Sequence, residues 1–307
     1  MKAAFVAVVG RPSAGKSTLV NCICGEKVSI VSNIPQTTRN AIRGIVNREQ
    51  GQLVFVDTPG RHSSEKKINK KLMEVSQRAL HESDIVLYVL DATRPPGEEE
   101  TELAKLLFPL AAKTIAVVNK TDIPSADCRR ARDFLARHAP AIAPERCFEI
   151  SAKNNAGIEP ALAALFDMAP EGEPFYDGEY YTDQEVDFRI AEIIREQAIM
   201  RLRQELPHAL YVQVSDIEFK SADKPDLAEA APGKGRTRLW VRAFIIVERE
   251  SQKGMVVGKG GEMIKVIRQA SQKELAKIFD WKIELDLRVK TGKDWRSSDS
   301  ALRRIIG

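Results

Sequence analysis

Gly10-Arg11-Pro12-Ser13-Ala14-Gly15-Lys16-Ser17 fits the spacing G-x-x-x-x-G-K-[ST], and its surroundings suit that motif. The apolar run Ala4–Val9 leads into it, and Thr18-Leu19-Val20-Asn21-Cys22-Ile23 continues as a helix. Glycines let the backbone wrap a phosphate, and the N–H groups of a helix N-terminus meet its charge. In such a loop Lys16 reaches the β- and γ-phosphates and the Ser17 hydroxyl holds Mg2+. A glycine turn with no ligand is the alternative, and the strand–loop–helix setting argues against it.

Three more clusters follow apolar runs. Asp57-Thr58-Pro59-Gly60 comes after Gln52–Val56, where an aspartate can orient a water on Mg2+ and the Gly60 N–H can sense a γ-phosphate. Asn119-Lys120-Thr121-Asp122 comes after Thr114–Val118. The Asp122 carboxylate can accept two hydrogen bonds from guanine, a pair of donors that adenine lacks. The Lys120 stem can lie over the base, and Asn119 can brace the phosphate loop. Ser151-Ala152-Lys153 comes after Cys147–Ile150, with backbone N–H groups for the guanine O6. Singly these are ordinary turns. In this order, each at a strand end, they describe one guanine-nucleotide site. Residues 32–40 are polar and lie between the first helix and the strand at 52–56, where a GTPase carries the loop whose threonine closes on Mg2+; a plain surface loop is the equal alternative.

The elements that must hold these clusters alternate. Strands are expected at 52–56, 85–90, 114–118 and 147–150, and helices near 68–81, 98–107, 128–139 and 159–166. Fully apolar β-branched runs suit a sheet covered on both faces, so the fold class is α/β, a doubly wound P-loop GTPase sheet. Ligand then binds at the strands' C-terminal ends.

From about Ala169 the pattern changes. Residues 170–184 hold Pro170, Gly172, Pro174 and Gly178 and read as a linker that partly packs. An amphipathic helix over 185–206 follows, with Ile190, Ile193, Ile194, Ala198 and Met200 near helical spacing. Strands at 209–219 and 237–248 flank a polar insertion, 220–236. Gly258-Lys259-Gly260-Gly261 then opens a helix to about Phe279, and a last strand spans 282–290. Helix–strand–strand–GxxG–helix–strand outlines a smaller α+β KH module of type II, whose loop clamps a single-stranded RNA backbone. Lys253, Lys259 and Lys265 surround that loop with Gly258, Gly260 and Gly261. The expected organisation is a nucleotide domain over 1–169, the linker over 170–184 and the KH domain over 185–307.

The charge balance agrees with this division. Residues 220–307 carry 20 Lys and Arg against 12 Asp and Glu, a net of +8, so the rest of this +4 chain sums to −4. A basic C-terminal part suits a polyanion. Four cysteines, Cys22, Cys24, Cys128 and Cys147, show neither metal spacing nor a disulfide framework and read as reduced cytosolic thiols. The first apolar run breaks at Gly10, too early for a signal peptide, and no run is long enough for a membrane span.

Taken together, the chain resembles the Era family of GTPases, assembly factors of the small ribosomal subunit, almost end to end. The resemblance rests on Gly10–Ser17, Pro35-Gln36-Thr37-Thr38-Arg39, Asp57–Gly60, Asn119–Asp122 and Ser151–Lys153. It continues through Tyr181-Thr182-Asp183, Glu192–Glu196, Glu205-Leu206-Pro207, Val247–Lys253 and Gly258–Gly261. It implies that Thr38 is the threonine that closes on Mg2+, beside Ser17 and Asp57. It also implies GTP hydrolysis, and a KH domain that binds the 3′ end of small-subunit ribosomal RNA on the 30S subunit. A cytoplasmic monomer with some peripheral membrane contact completes the implied picture. Ser13 stands where the family carries Asn, which related GTPases use to hold potassium, so potassium is left unassigned as a cofactor. Arg61 replaces an aliphatic residue, and no glutamine follows Gly60 to orient the attacking water, which implies slow intrinsic turnover. The competing reading is a signalling or membrane-surface GTPase whose C-terminal domain binds protein. A metabolic kinase fits less well, because Asp122 selects guanine and no acceptor site is evident.

Overall fold

The computed structural model describes the chain except for residues 33, 35–36, 61–66, 204, 221–237, 299–301 and 303–307, and the side chains of 67–69. Arg61, Pro35, Gln36 and nearly all of the polar insertion therefore lie outside the described residues. Two compact units emerge, Met1–Asp183 and Gln184–Leu302.

The first unit is built on the strands β1 (Lys2–Val9), β2 (Ile42–Arg48), β3 (Gly51–Asp57), β4 (Ile85–Asp91), β5 (Thr114–Asn119) and β6 (Cys147–Glu149). They form one sheet in the order β2-β3-β1-β4-β5-β6, parallel throughout except where β2 pairs antiparallel with β3. Helices α1 (Lys16–Cys24), α2 (Lys67–Glu82), α3 (Glu98–Leu107), α4 (Cys128–His138) and α5 (Ile158–Met168) cover both faces. Alternation along a strand decides which side chain meets which layer. In β4, Ile85, Leu87 and Val89 join Leu19, Val20, Leu162 and Leu165 of α1 and α5. Val86, Tyr88 and Leu90 join Leu80, Leu103, Leu107 and Phe134 of α2, α3 and α4. Each such buried side chain contributes roughly 1.5–3 kcal/mol, and the strand must be apolar at every position.

β2 was absent from the sequence reading. It is an edge strand with Arg43, Asn47 and Arg48 along it, so no continuous apolar run marks it. Its outer edge is covered by the residues read as a linker, which pack within the first unit. Ala3 N–H donates to Pro170 O at 3.0 Å, and Ile45 N–H donates to Tyr181 O at 2.9 Å. Gln52, 1 % exposed, is the centre of this contact. Its Oε1 accepts from the N–H groups of Phe175 (2.8 Å) and Tyr176 (3.0 Å). Its Nε2 donates to Tyr176 O and to Asn47 Oδ1, each at 2.8 Å. Arg43 holds Asp183 at 2.7 Å.

The second unit has a sheet ordered β7-β8-β9: β7 (Leu210–Lys220) antiparallel to β8 (Arg238–Val247), and β9 (Lys282–Thr291) parallel to β8. Helices α6 (Val186–Arg201) and α8 (Glu262–Ile278) pack on it, burying Leu239, Val241, Ala243, Ile245, Ile267 and Leu275. Trp295 is buried near the C-terminus, where its Nε1 donates to Ala209 O at 3.1 Å. Three details depart from the sequence reading. α6 ends at Arg201, short of the expected end at Leu206, where a 3-10 turn, Leu206–His208, begins. Met200 is 62 % exposed, outside the core stripe. A short helix not expected from the sequence, α7 (Glu250–Val257), precedes the glycine loop, which joins it to α8.

Replacing Gln52 by Leu should lower the stability of the first unit by about 2–4 kcal/mol, because buried backbone groups of Tyr176 lose their partners. Urea unfolding reads this as a lower midpoint at unchanged slope. A loss below about 0.5 kcal/mol would show that the Phe5–Phe175 ring contact, 4.4 Å between centroids, holds the segment instead.

Candidate nucleotide and RNA sites

The phosphate loop leaves β1 and enters α1 through Gly15, which caps the helix at φ 96° with no side-chain cap bond. The first N–H groups of α1 are therefore open to an anion. A Cβ on Gly15 would lie 2.4 Å from Asn119 Nδ2, so the position takes only glycine. Ser13 sits at φ 62°, a left-handed conformation that costs a non-glycine residue about 1–3 kcal/mol and gathers at functional sites. Lys16 is buried, and its Nζ donates to Gly10 O and Arg11 O, both at 3.0 Å. Burial pulls its pKa down to about 8, partly offset by the negative charge of Asp57.

Three oxygens meet beside it. Ser17 Oγ lies 3.0 Å from Thr38 Oγ1, and Thr38 Oγ1 donates to Asp57 Oδ2 at 3.4 Å. Asp57 is wholly buried, which pushes its carboxyl above the usual carboxylate range despite Lys16 and the neighbouring hydroxyls. Its Oδ1 has no hydrogen-bond partner among the described residues. A buried carboxylate oxygen without a donor, beside two hydroxyls, suits a hard divalent cation with oxygen ligands. The residues present fit Mg2+. After Asp57, Thr58 Oγ1 donates to Val8 O at 2.8 Å and Pro59 O accepts from Ser76 at 2.9 Å. Gly60 packs so closely on the phosphate loop that a Cβ would meet Pro12 Cα at 2.9 Å.

The base-binding clusters meet on Asn119, 2 % exposed. Its Nδ2 donates to Ala14 O (3.0 Å), and its Oδ1 accepts from Lys120 N–H (2.8 Å) and Ala152 N–H (3.0 Å). Lys120 adopts φ 71°, and its Nζ pairs with Asp91 Oδ2 at 2.7 Å. Burial raises the Asp91 carboxyl, but bonds from Lys120 and Thr93 outweigh it and hold the group below its ordinary range. Asp122 Oδ1 accepts from Ser151 Oγ at 2.7 Å, which fixes the carboxylate. Thr121 N–H donates to Ile150 O, and Ser151 N–H to Ala156 O. With Ala152 N–H on Asn119, the Lys153 N–H is the amide of this trio without a partner among the described residues. A cavity of about 290 Å³ runs over this surface, lined by Ser13, Lys16, Ser17, Thr38, Arg94 and Lys120 among others. Asp122 is not in that lining. Asp91 and Arg94 escaped the sequence reading, although an acid at the end of a central strand is the same signal that marked Asp57.

In the second unit the glycine loop lies between α7 and α8. Gly258 has φ 75°, and a Cβ there would meet Met263 Cβ at 2.7 Å. Gly260 (φ 61°) and Gly261 (φ 81°) face open space. Lys259 and Lys265 are exposed, and Lys253 pairs with Glu250 at 3.4 Å. Gln252 Oε1 accepts from Arg249 N–H at 2.9 Å, which starts α7. α8 begins at Gly261 with no side-chain cap, so its first amides are available to an anion.

Fold and site together define a P-loop GTPase domain followed by a KH domain. Family models agree: residues 5–120 match the 50S ribosome-binding GTPase family and residues 226–296 match the KH domain. The chain is 51 % identical over 305 residues to the GTPase Era of Treponema denticola, covering 99 % of both chains. It is 41 % identical to that of Borreliella burgdorferi, over the full length of both. It also superposes on a variant of Aquifex aeolicus Era bound to GDP–AlF4− with TM-score 0.88, at 31 % identity and 99 % coverage of both chains. An Era crystal structure with MgGDPNP and nucleotides 1506–1542 of 16S ribosomal RNA gives TM-score 0.89 at 31 % identity, covering 99 % of this chain and 98 % of that one. The chain belongs to the Era family of GTPases.

Lys16 must carry its proton to hold phosphate, and phosphate charge favours the protonated form. Nucleotide affinity should therefore hold steady below pH 8 and weaken above it, approaching tenfold per pH unit. Titration of a fluorescent GDP between pH 7 and 9 measures this. A flat profile would show that Lys16 stays charged throughout.

Proposed function

We propose that this chain hydrolyses GTP at the Gly10–Ser17 cavity and uses nucleotide state to control single-stranded RNA binding at Gly258–Gly261. The observation that carries the catalytic half is the unpartnered Asp57 Oδ1 buried beside Ser17 and Thr38. Mg2+ held by Ser17 and Thr38 and oriented by Asp57 would neutralise charge on the phosphates. Gly10, Arg11, Pro12, Ala14 and Gly15 form the cradle, and Lys16 exchanges its two carbonyl contacts for phosphate oxygens. Thr58 and Pro59 carry Gly60 to the γ-phosphate side. Asp122 reads guanine, Lys120 lies over the base, and Lys153 N–H meets the base carbonyl. Among the described residues no side chain is positioned as a general base, so catalysis is read as resting on positioning and charge. Ser13 projects too little to be a strong potassium ligand, and turnover is read as indifferent to that ion.

The RNA is the 3′ end of small-subunit ribosomal RNA, and the role is assembly of the 30S subunit. The support is family membership, the exposed lysines and uncapped α8 terminus at the loop, and the RNA held by a relative of similar fold. The same reading has the protein cytoplasmic and monomeric, with a fraction at the inner face of the membrane. Among the described residues no helix is long and apolar enough to cross one.

Asp122→Asn should weaken GTP binding by roughly 2–5 kcal/mol and gain xanthosine triphosphate, because an amide can donate to the xanthine carbonyl. Competition between the two nucleotides tests it, and unchanged preference for GTP removes Asp122 from the base site. Replacing both Lys259 and Gly260 by Asp should cut affinity for a 3′-terminal ribosomal RNA fragment by at least about tenfold while RNA-free GTP turnover stays near normal. Filter binding at fixed salt reads the first quantity. Retained RNA affinity, with a protein captured through this domain, would favour the signalling GTPase instead.

A further inference from the structure

Arg94 stands on the loop between β4 and α3, and no motif accounts for it. It lines the same cavity as Pro12, Ser13 and Gly60. Among the described residues, other cations at or next to that cavity are engaged. Lys16 holds two carbonyls, Lys120 holds Asp91, and Arg11 holds Glu100 at 2.7 Å and Asp91 at 3.5 Å. Arg94 is exposed and makes no hydrogen bond or ion pair among the described residues.

Its loop is fixed at both ends. Asp91 Oδ1 accepts from Thr93 N–H (2.9 Å) and Thr93 Oγ1 (2.6 Å), and Ala92 N–H donates to Asn119 O at 3.0 Å. At the far end Gly97 N–H donates to Glu100 Oε2 at 2.8 Å, and Arg11 reaches Pro95 O at 3.5 Å. Pro95 restricts the backbone of Arg94 to extended conformations. The loop main chain is thus tied to β5, to α3 and to Arg11 of the phosphate loop.

We infer that Arg94 is a phosphate-contacting arginine supplied in cis, which donates to the β–γ bridging region of GTP from the Ser13 side. This rests on the reading of the cavity as the GTP site. In hydrolysis the water oxygen bonds to the γ-phosphorus, the bond from that phosphorus to the bridging oxygen breaks with its electron pair staying on GDP, and the water's proton passes to an oxygen of the departing phosphate. Arg94 stabilises that growing negative charge by hydrogen bonds and transfers no proton, since guanidinium stays protonated. Arginines in this role contribute 10³–10⁵ in rate elsewhere. From the cavity it shares with Ser13, the guanidinium supplies the positive charge that a monovalent ion would bring.

The test compares wild type, Arg94→Ala and Arg94→Lys in single-turnover GTP hydrolysis, and in affinity for GDP with and without AlF4−. We expect Arg94→Ala to lose at least about tenfold in rate and at least about tenfold in affinity for GDP–AlF4−. Its affinity for GDP alone should stay within about threefold, and Lys should restore only a minor part of the rate. Hydrolysis by Arg94→Ala within about twofold of wild type overturns the proposal. Equal weakening of GDP and GDP–AlF4− with an unchanged rate also overturns it, because Arg94 would then be a ground-state contact. Failure of the wild type to bind GTP in the same titration overturns the GTP reading itself, a different result from an intact wild type matched by Arg94→Ala.

Discussion

The nucleotide site depends on one buried side chain amide. Asn119 ends β5, between β4 and β6, and from there it reaches three loops. Its Nδ2 bonds Ala14 O in the phosphate loop, and its Oδ1 bonds the N–H groups of Lys120 and Ala152. An aspartate could not donate to Ala14, and a glutamine would overrun the distance. Gly15 has no Cβ because Asn119 occupies that space, and Lys120, whose amide donates to Asn119, has a positive φ. The parallel register of the sheet therefore fixes how far the base loops lie from the phosphates. Removing the amide would leave buried carbonyl and N–H groups unpaired, each at about 1–3 kcal/mol.

At the phosphate end the dominant force is desolvation. Lys16 is pushed toward its neutral form and Asp57 toward its protonated form, both by burial. Their attraction for one another opposes this but does not overcome it. A polyphosphate with a bound cation supplies the opposite charge that each side chain lacks. The free site is thus held in an unfavourable state that the ligand relieves, which is how a buried polar site gains affinity for a charged molecule. Thr38 joins this arrangement from the polar loop before β2, so that loop is tied to the occupancy of the same three-oxygen cluster.

Much of this was legible in the chain. Continuous apolar runs marked the central strands because both faces of the sheet are covered, and motif spacing marked the loops because glycine is irreplaceable there. β2 was not legible. Ile42-Arg43-Gly44-Ile45 mixes charge and glycine, and Gly44 is there because a Cβ would strike Cys24 Sγ of α1 at 2.6 Å. α7 was hidden because Val256 and Val257, β-branched residues, end a helix started by the Gln252 contact. Met200 has helical spacing with the core residues yet is exposed, one residue before the end of α6 and beyond a run from Ile193 to Ile199 that is buried on every side. Asp91 and Arg94 belong to no spelled motif and become visible only once the sheet sets β4 beside β1.

The two glycine loops differ in what demands glycine. Gly15 and Gly60 are fixed by protein atoms already in place, the amide of Asn119 and the backbone of Pro12. Those contacts complete a rigid cradle, as electrostatic stabilisation of a transition state requires. In the second loop only Gly258 is packed, against Met263, while Gly260 and Gly261 need glycine for their positive φ and face open space. A side chain at either position would be strained and would also project into that opening. An open, left-handed turn at the uncapped start of α8 is suited to the approach of an extended phosphate backbone, whose contacts are made along a strand and not inside a pocket. The same residue type thus makes a closed site for a small ligand in one unit and an open one for a chain in the other.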